Sequence, residues 1–275
     1  MRRVLNLAWA ALCVIALLAP ANGQAQETST PSADPALEQA IHDYILAHPE
    51  VIAESLQKYQ QQQEETQKQA HAQAVKELKP QLMNAPASPV LGNPSGDVTV
   101  VEFLDYRCPY CKAMHQPIAD MIAADGNVRV VIKEFPILGD DSLFAARAAL
   151  AAGKQGKYAE MHTALMTFKG KLSAQDVENA AAQLGLDVVR LKDDMAAPEV
   201  DQELQQNYNL AERLGINGTP AFVIGDTLIP GAIKLEDLKA HIAKARDEAL
   251  TGQEKLELQG LLRAKGQSGR AAPST

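Results

Sequence analysis

The chain has 275 residues, with 26 Lys and Arg against 34 Asp and Glu, a net charge of −8, and three cysteines. That acidic balance argues against a nucleic-acid partner, because phosphate contacts need clustered Lys and Arg. Three cysteines also exclude a small scaffold held by disulfides, which shows four, six or eight.

The first element is a leader. Arg2 and Arg3 form a short basic region, "VLNLAWAALCVIALLAP" is apolar, and small residues offer cleavage after Ala21 or Ala25. This is the layout of a secretory signal peptide (residues 1–25), with an uncleaved membrane anchor as the alternative. Cleavage removes Arg2 and Arg3, so 24 Lys and Arg face all 34 Asp and Glu, a net charge of −10. It also removes Cys13 and leaves Cys108 and Cys111 alone in an export compartment. Two cysteines so close point to reactivity. About 250 residues remain, enough for one or two cored domains.

Residues 26–34 read as a polar leader segment. Asp34-Pro35 then reads as an N-cap with proline at the first helical position, and Leu37, Ile41, Tyr44 and Ile45 recur at helical spacing up to His48. Pro49 opens a second helix with Val51, Ile52, Leu56 and Tyr59 on one face. No large apolar residue stands between Gln60 and Gln69, although Gln, Glu and Lys favour helix. Pro80 is the next breaker. A helix from Pro49 to Lys79 runs roughly 45 Å. One reading is a solvated spacer; the other is an arm (34–79) whose apolar hairpin associates with copies of itself as a dimer or trimer. Leu37 to Tyr59 holds too few apolar residues for a monomeric core.

A Pro/Gly/Ser-rich lead-in from Asn84 precedes the main domain, 97–250. "VTVVEFL" is a buried strand ending at the cysteine pair. A helix follows from about Pro109 to Ala124, with Cys111, Met114, Ile118, Met121 and Ile122 inward and Pro117 expected to bend it. "NVRVVIKEF" is the next strand. Residues 140–215 read as helices alone, one opening on a capping box at Ser173 and closing at Gly185. "TPAFVIG" and "TLIPG" are strands joined by a turn at Gly225-Asp226. A helix from Lys234 to Leu250 closes the domain, and 251–275 reads as a flexible tail.

"CPYC" permits several chemistries. Cys108 ends a strand and Pro109 suits a helix start, so the Cys108 sulfur faces the positive end of that helix, which favours thiolate. Thiolate is the attacking species in disulfide exchange, and Cys111, one turn on, is placed to resolve a mixed disulfide. Cys108, Cys111 and His115 give three zinc ligands, but a closed site needs a fourth that the spacing does not offer. Cu(I) accepts two thiolates, so it stays open. An inert disulfide gains little from so short a loop. Glu102, six residues before Cys108, either points inward as a proton acceptor for Cys111, paired with Lys133 of the adjoining strand, or lies outward. His115 reads as a surface residue, and His42, His48, His71, His162 and His241 as incidental.

"VVEFLDYRCPYCKAMHQPI", "VRVVIKEFPILGDDS" and "GINGTPAFVIGDTLIPGA" together resemble the DsbA-like branch of thioredoxin-fold oxidoreductases, over about Val98 to Leu250. The layout of the arm resembles ScsC (suppressor of copper sensitivity C) and DsbG/DsbC-type isomerases. The resemblance implies an α/β thioredoxin fold, a four-stranded core with an inserted helical domain, preceded by the helical arm. It implies a cis bond at Pro220, with Thr219 pairing with an extended substrate beside Cys108. Pro109 and Tyr110 would tune the redox potential.

The expected protein is a periplasmic protein disulfide isomerase. A DsbA-type oxidase and a copper-tolerance protein using the same thiolates are the alternatives. No organic cofactor is implied, since the Cys108–Cys111 pair carries the electrons. The implied partners are misoxidised exported proteins and a membrane thiol reductase of the ScsB/DsbD type.

Overall fold

A computed structural model describes residues 34–84 and 86–268, with side chains as far as Gly252. The signal-peptide reading therefore lies outside the described residues. The chain divides into two units, Met1–Tyr59 and Gln60–Thr275.

In the first unit, helix α1 (Pro35–Ala47) begins as its sequence dictates. Asp34 Oδ1 accepts the Ala36 N–H at 3.0 Å and Pro35 occupies the first turn. The helix ends at His48, whose N–H reaches the Tyr44 carbonyl. Helix α2 (Glu50–Met83) starts after Pro49. No described residue of this unit is buried, and Leu37, Ile41, Tyr44, Ile52, Leu56 and Tyr59 are all exposed. The described residues of this unit form no core of their own.

In the second unit, α2 stays exposed from Gln60 to Ala70, and then Val75, Leu78 and Leu82 are fully buried. Here the structure differs from the sequence reading twice. The helix passes through Pro80 to Met83, because Leu78 and Leu82 on either side of the proline are locked into the core. The redox domain therefore takes in the end of the arm, and its boundary lies well before residue 97.

The sheet has five strands, in the order β1 (Val90–Gly92), β3 (Val128–Glu134), β2 (Val98–Leu104), β4 (Ala221–Ile224), β5 (Thr227–Pro230). The fifth strand, β1, comes from the segment expected to be lead-in; it pairs antiparallel to β3. The parallel pair β2–β3 is connected by helix α3 (Pro109–Asp125), and β4 runs antiparallel to β2. Strand alternation divides the core in two. Val98, Val100 and Leu104 pack with Cys111, Met114, Ile118 and Met121 of α3, while Val101 and Phe103 pack with Val75, Leu78 and Leu82 of α2. Helix α3 runs on through Pro117 and ends at Gly126, whose φ of 70° is the left-handed cap that glycine supplies without cost.

The inserted block is five helices, α4 (Asp140–Lys154), α5 (Tyr158–Thr167), α6 (Ala174–Gln183), α7 (Val188–Met195) and α8 (Pro198–Arg213). The buried alanines of α4 let α5 and α7 approach closely, and the Ser173–Asp176 capping box starts α6. Helix α9 (Leu235–Ser268) continues well past Leu250. The segment read as a flexible tail is thus helical to Ser268, in keeping with its Glu, Lys, Leu and Gln content. Arg246 of α9 bridges Asp97 and Asp125 at 2.8 Å each, tying the helix to the start of β2 and the end of α3.

Candidate active site

The β2 strand ends at Leu104 and the chain turns over Asp105–Arg107 into α3. Asp105 organises this turn. Its carboxylate accepts bonds from Arg107 N (2.7 Å), Ile137 N (2.9 Å), Leu138 N (3.0 Å) and Ser142 Oγ (2.8 Å). Its carbonyl accepts the Cys108 N–H at 3.1 Å. One buried carboxylate thus binds the cysteine loop to the loop after β3. Composition and spacing carry no mark of this role, because Ile137, Leu138 and Ser142 lie more than thirty residues away.

Cys108 is the N-cap of α3, Pro109 takes the first turn, and Cys111 lies inside it. Both thiols are free. Cys108 is 5% exposed and Cys111 0%, a narrower difference than a fully open attacking sulfur would show. Tyr110, between them, is 64% exposed and available to a partner. Burial raises the Cys111 thiol well above its ordinary value, and the nearby Glu102 and Cys108 charges push the same way; the Asp105 backbone and Thr219 oppose them. The resolving thiol therefore needs a proton acceptor.

Thr219 and Pro220 enter β4 opposite this turn. The Thr219–Pro220 bond is cis. The Cys108 Sγ donates to the Thr219 carbonyl oxygen at 3.1 Å, and the Pro220 carbonyl accepts the Gly231 N–H at 2.8 Å. The loop and the helix start are thereby brought together.

Glu102 is 3% exposed and takes the inward reading. Burial, reinforced by the Glu134 charge, pushes it up to about 8. It lines a cavity of about 240 Å³ together with Cys111, His115 and His162. The expected pairing with Lys133 does not occur. Lys133 stands opposite Phe103, one residue out of step with Glu102, so its side chain projects to the other face of the sheet. There its ammonium donates to Ser88 Oγ at 2.7 Å and Gln81 O at 3.3 Å, and Ser88 Oγ donates to Glu203 at 2.5 Å. Lys133 is a buried structural charge, not part of the site.

The charged neighbour of Glu102 is Glu134 instead. Tyr106 and Tyr158 both donate to Glu134 Oε1 at 2.7 Å, and Tyr106 Oη lies 3.2 Å from His162 Nδ1. Burial pushes Glu134 up to about 8 and His162 down to about 3. His162, read as incidental, is therefore buried beside the resolving thiol's cavity. His115, read as a surface residue, is half-buried 5.3 Å from it, ring centre to ring centre. Among the described residues no group of three or more His, Cys, Asp or Glu is arranged to hold a metal ion.

A free cysteine pair at a strand–helix junction, against a cis-proline loop, on a thioredoxin-like sheet defines the class. Residues 99–243 match the model of the DSBA-like thioredoxin domain, and residues 36–65 match the Copper resistance protein ScsC N-terminal domain. The chain belongs to the DsbA-like thioredoxin-domain family, the thiol–disulfide oxidoreductases of the DsbA and ScsC type. Among solved structures it is similar to a thioredoxin-like oxidoreductase from Silicibacter pomeroyi DSS-3, at 50% identity and a TM-score of 0.60, covering 61% of this chain and 97% of that one. The catalytic domain of Proteus mirabilis ScsC is 31% identical with a TM-score of 0.60, covering 64% and 98%. A curated relative, the Na(+)/H(+) antiporter NhaA 1 of Salinispora arenicola, is 30% identical over 158 residues, 57% of this chain. The chain spans only 24% of that relative's length.

Proposed function

We propose that the chain is a periplasmic protein disulfide isomerase. Cys108 attacks a client disulfide as thiolate at the head of α3, and Cys111 resolves the mixed disulfide when the client cannot rearrange it. Thr219 and Pro220 form the wall beside which an extended client segment lies, Pro109 and Tyr110 tune the pair, and Glu102 accepts the Cys111 proton. The observation that carries this reading is the contact of Cys108 Sγ with the Thr219 carbonyl, which brings the nucleophile to the edge of β4. The exposed apolar residues of α1 and the start of α2 support a dimer or trimer, which brings several Cys108 thiols to one client at raised effective concentration.

An isomerase must rest reduced, so the reading requires export and a membrane thiol reductase of the ScsB/DsbD type as electron donor. Misoxidised exported proteins are its clients. Acid trapping of intact cells followed by thiol labelling in denaturant tests this: both cysteines should be labelled without prior reduction. A pair found oxidised at rest would instead make the protein a DsbA-type oxidase.

A second reading, Cu(I) binding by the same two thiolates in copper tolerance, is favoured by the match of residues 36–65 to the copper-resistance domain. Activity of metal-free protein on a disulfide client would leave copper a secondary role at most.

A further inference from the structure

The cavity behind the cysteine pair contains more proton chemistry than one carboxyl. Glu102 from β2, Cys111 and His115 from α3, and His162 from α5 all line it, with Thr163 and Met166 closing the α5 side. Its volume, about 240 Å³, accommodates several waters at roughly 30 Å³ each. Among the described residues, the titratable groups that face His162 are His115 and Cys111 on α3, Glu102 on β2, Tyr106 after β2, Glu134 on β3 and Tyr158 on α5 itself.

The hydrogen bonds fix the state of His162. With Glu134 ionised, or protonated on Oε2, Tyr106 and Tyr158 each commit their single hydroxyl hydrogen to Glu134 Oε1 at 2.7 Å rather than to the 3.4 Å contact between the two hydroxyls. Tyr106 Oη then has only lone pairs left for His162, so Nδ1 must be the donor across their 3.2 Å contact. A neutral imidazole protonated at Nδ1 carries its lone pair on Nε2. Burial, with the His115 charge second, keeps this ring neutral. The Glu134–Tyr106–His162 chain thus does what an orienting group does for a catalytic histidine: it sets the tautomer and frees one nitrogen as an acceptor.

We propose that His162 is a positioning residue of a proton relay: its free Nε2 accepts from and holds the cavity water through which the Cys111 proton reaches Glu102 and, past His115, solvent. In the step served, the Cys111 S–H gives up its proton to the relay. The thiolate attacks the Cys108 sulfur of the mixed disulfide, and the Cys108–Cys111 bond forms. The bond from Cys108 to the client sulfur breaks, and the client leaves as thiolate with the electron pair and is protonated by solvent. The dithiol is oxidised and the client disulfide reduced, and in the reverse step the relay returns the proton to Cys111. This rests on the oxidoreductase reading.

The test separates the two steps on the full-length reduced protein with oxidised glutathione, following Cys108 capture and then glutathione release by rapid-quench mass spectrometry. His162→Asn keeps a side-chain N–H directed at Tyr106 but lacks Nε2. It should slow release about tenfold near pH 7, less than the roughly 10²–10⁴-fold of a sole general base because Glu102 remains, and leave capture within about twofold of wild type. Imidazole added to His162→Ala should restore release in proportion to the fraction of neutral imidazole, across pH 6 to 8. Tyr106→Phe, which frees the tautomer, should slow release by a smaller factor. Wild-type release in His162→Asn would overturn the relay, as would equal slowing of both steps or an imidazole effect absent at every pH. Failure of wild-type Cys108 to capture glutathione at all would overturn the oxidoreductase reading and the relay with it.

Discussion

The sulfur of Cys108 lies 3.1 Å from the carbonyl oxygen of Thr219, although 111 residues separate them in the chain. That contact joins the start of α3 to the entry of β4, and it places the nucleophile where a strand-like client could lie. Cys111, one turn deeper and fully buried, lines the cavity behind the pair.

The two thiols should consequently fail in different ways. Cys108→Ser should abolish exchange with protein and small disulfides. Cys111→Ser should retain attack and accumulate mixed disulfides, visible by non-reducing mass spectrometry. Accumulation on Cys111 in the Cys108→Ser variant would reverse the roles.

Glu102 gives a pH signature. Its folded-state value, about 8, is raised above the ordinary 4.5, so folding favours the protonated form. The stability this confers is complete below about pH 4.5 and lost as pH rises through 8. Glu102→Gln should therefore melt with the wild type near pH 4.5 and several degrees above it at pH 9, at about 2–4 °C per kcal/mol for a chain of this size. Part of the wild-type slope should persist, since Glu134 is raised in the same direction. Melting curves at the two pH values check this, and equal shifts at both would contradict it. The same variant should slow resolution at Cys111.

Lys133 should behave as a structural residue. Its removal strands Ser88 and the Glu203 charge in the core, and breaking such a buried arrangement costs about 3–5 kcal/mol. Lys133→Met should lower the melting temperature markedly while the folded protein captures oxidised glutathione at the wild-type rate. A specific loss of exchange without loss of stability would return Lys133 to the site.

How far these residues could be read beforehand depends on how local their signals are. Cys108, Pro109 and the Asp34 cap were legible because strand end, proline and cap are neighbours in sequence. The inward face of Glu102 was one of two readings, since alternation fixes parity within a strand but not which parity is buried. The face that Lys133 takes is not legible in its own strand, because the β2–β3 register, Phe103 opposite Lys133, is a property of the pairing and of neither strand alone. Asp105, Glu134, Tyr158 and His162 were missed for the same reason: their partners come from other elements. Pro80 looked like a helix end because its sequence cost is local, whereas the burial of Leu78 and Leu82 that outweighs it is tertiary.

The arm should set the oligomeric state. A fragment from Gln60 keeps Val75, Leu78 and Leu82, hence both cores, and should be a folded monomer that still captures small disulfides. The full chain should scatter light as a dimer or trimer, and Leu37→Ser with Ile41→Ser should weaken it. A monomeric full chain would remove the role given to the arm.

The most direct measurement is the action of the reduced, metal-free full-length protein on scrambled ribonuclease. The account predicts recovery of ribonuclease activity, none with Cys108→Ser, and a clear reduction with the Gln60 fragment. No recovery from the reduced protein, with rapid disulfide formation in reduced ribonuclease by the oxidised protein, would contradict it and identify an oxidase.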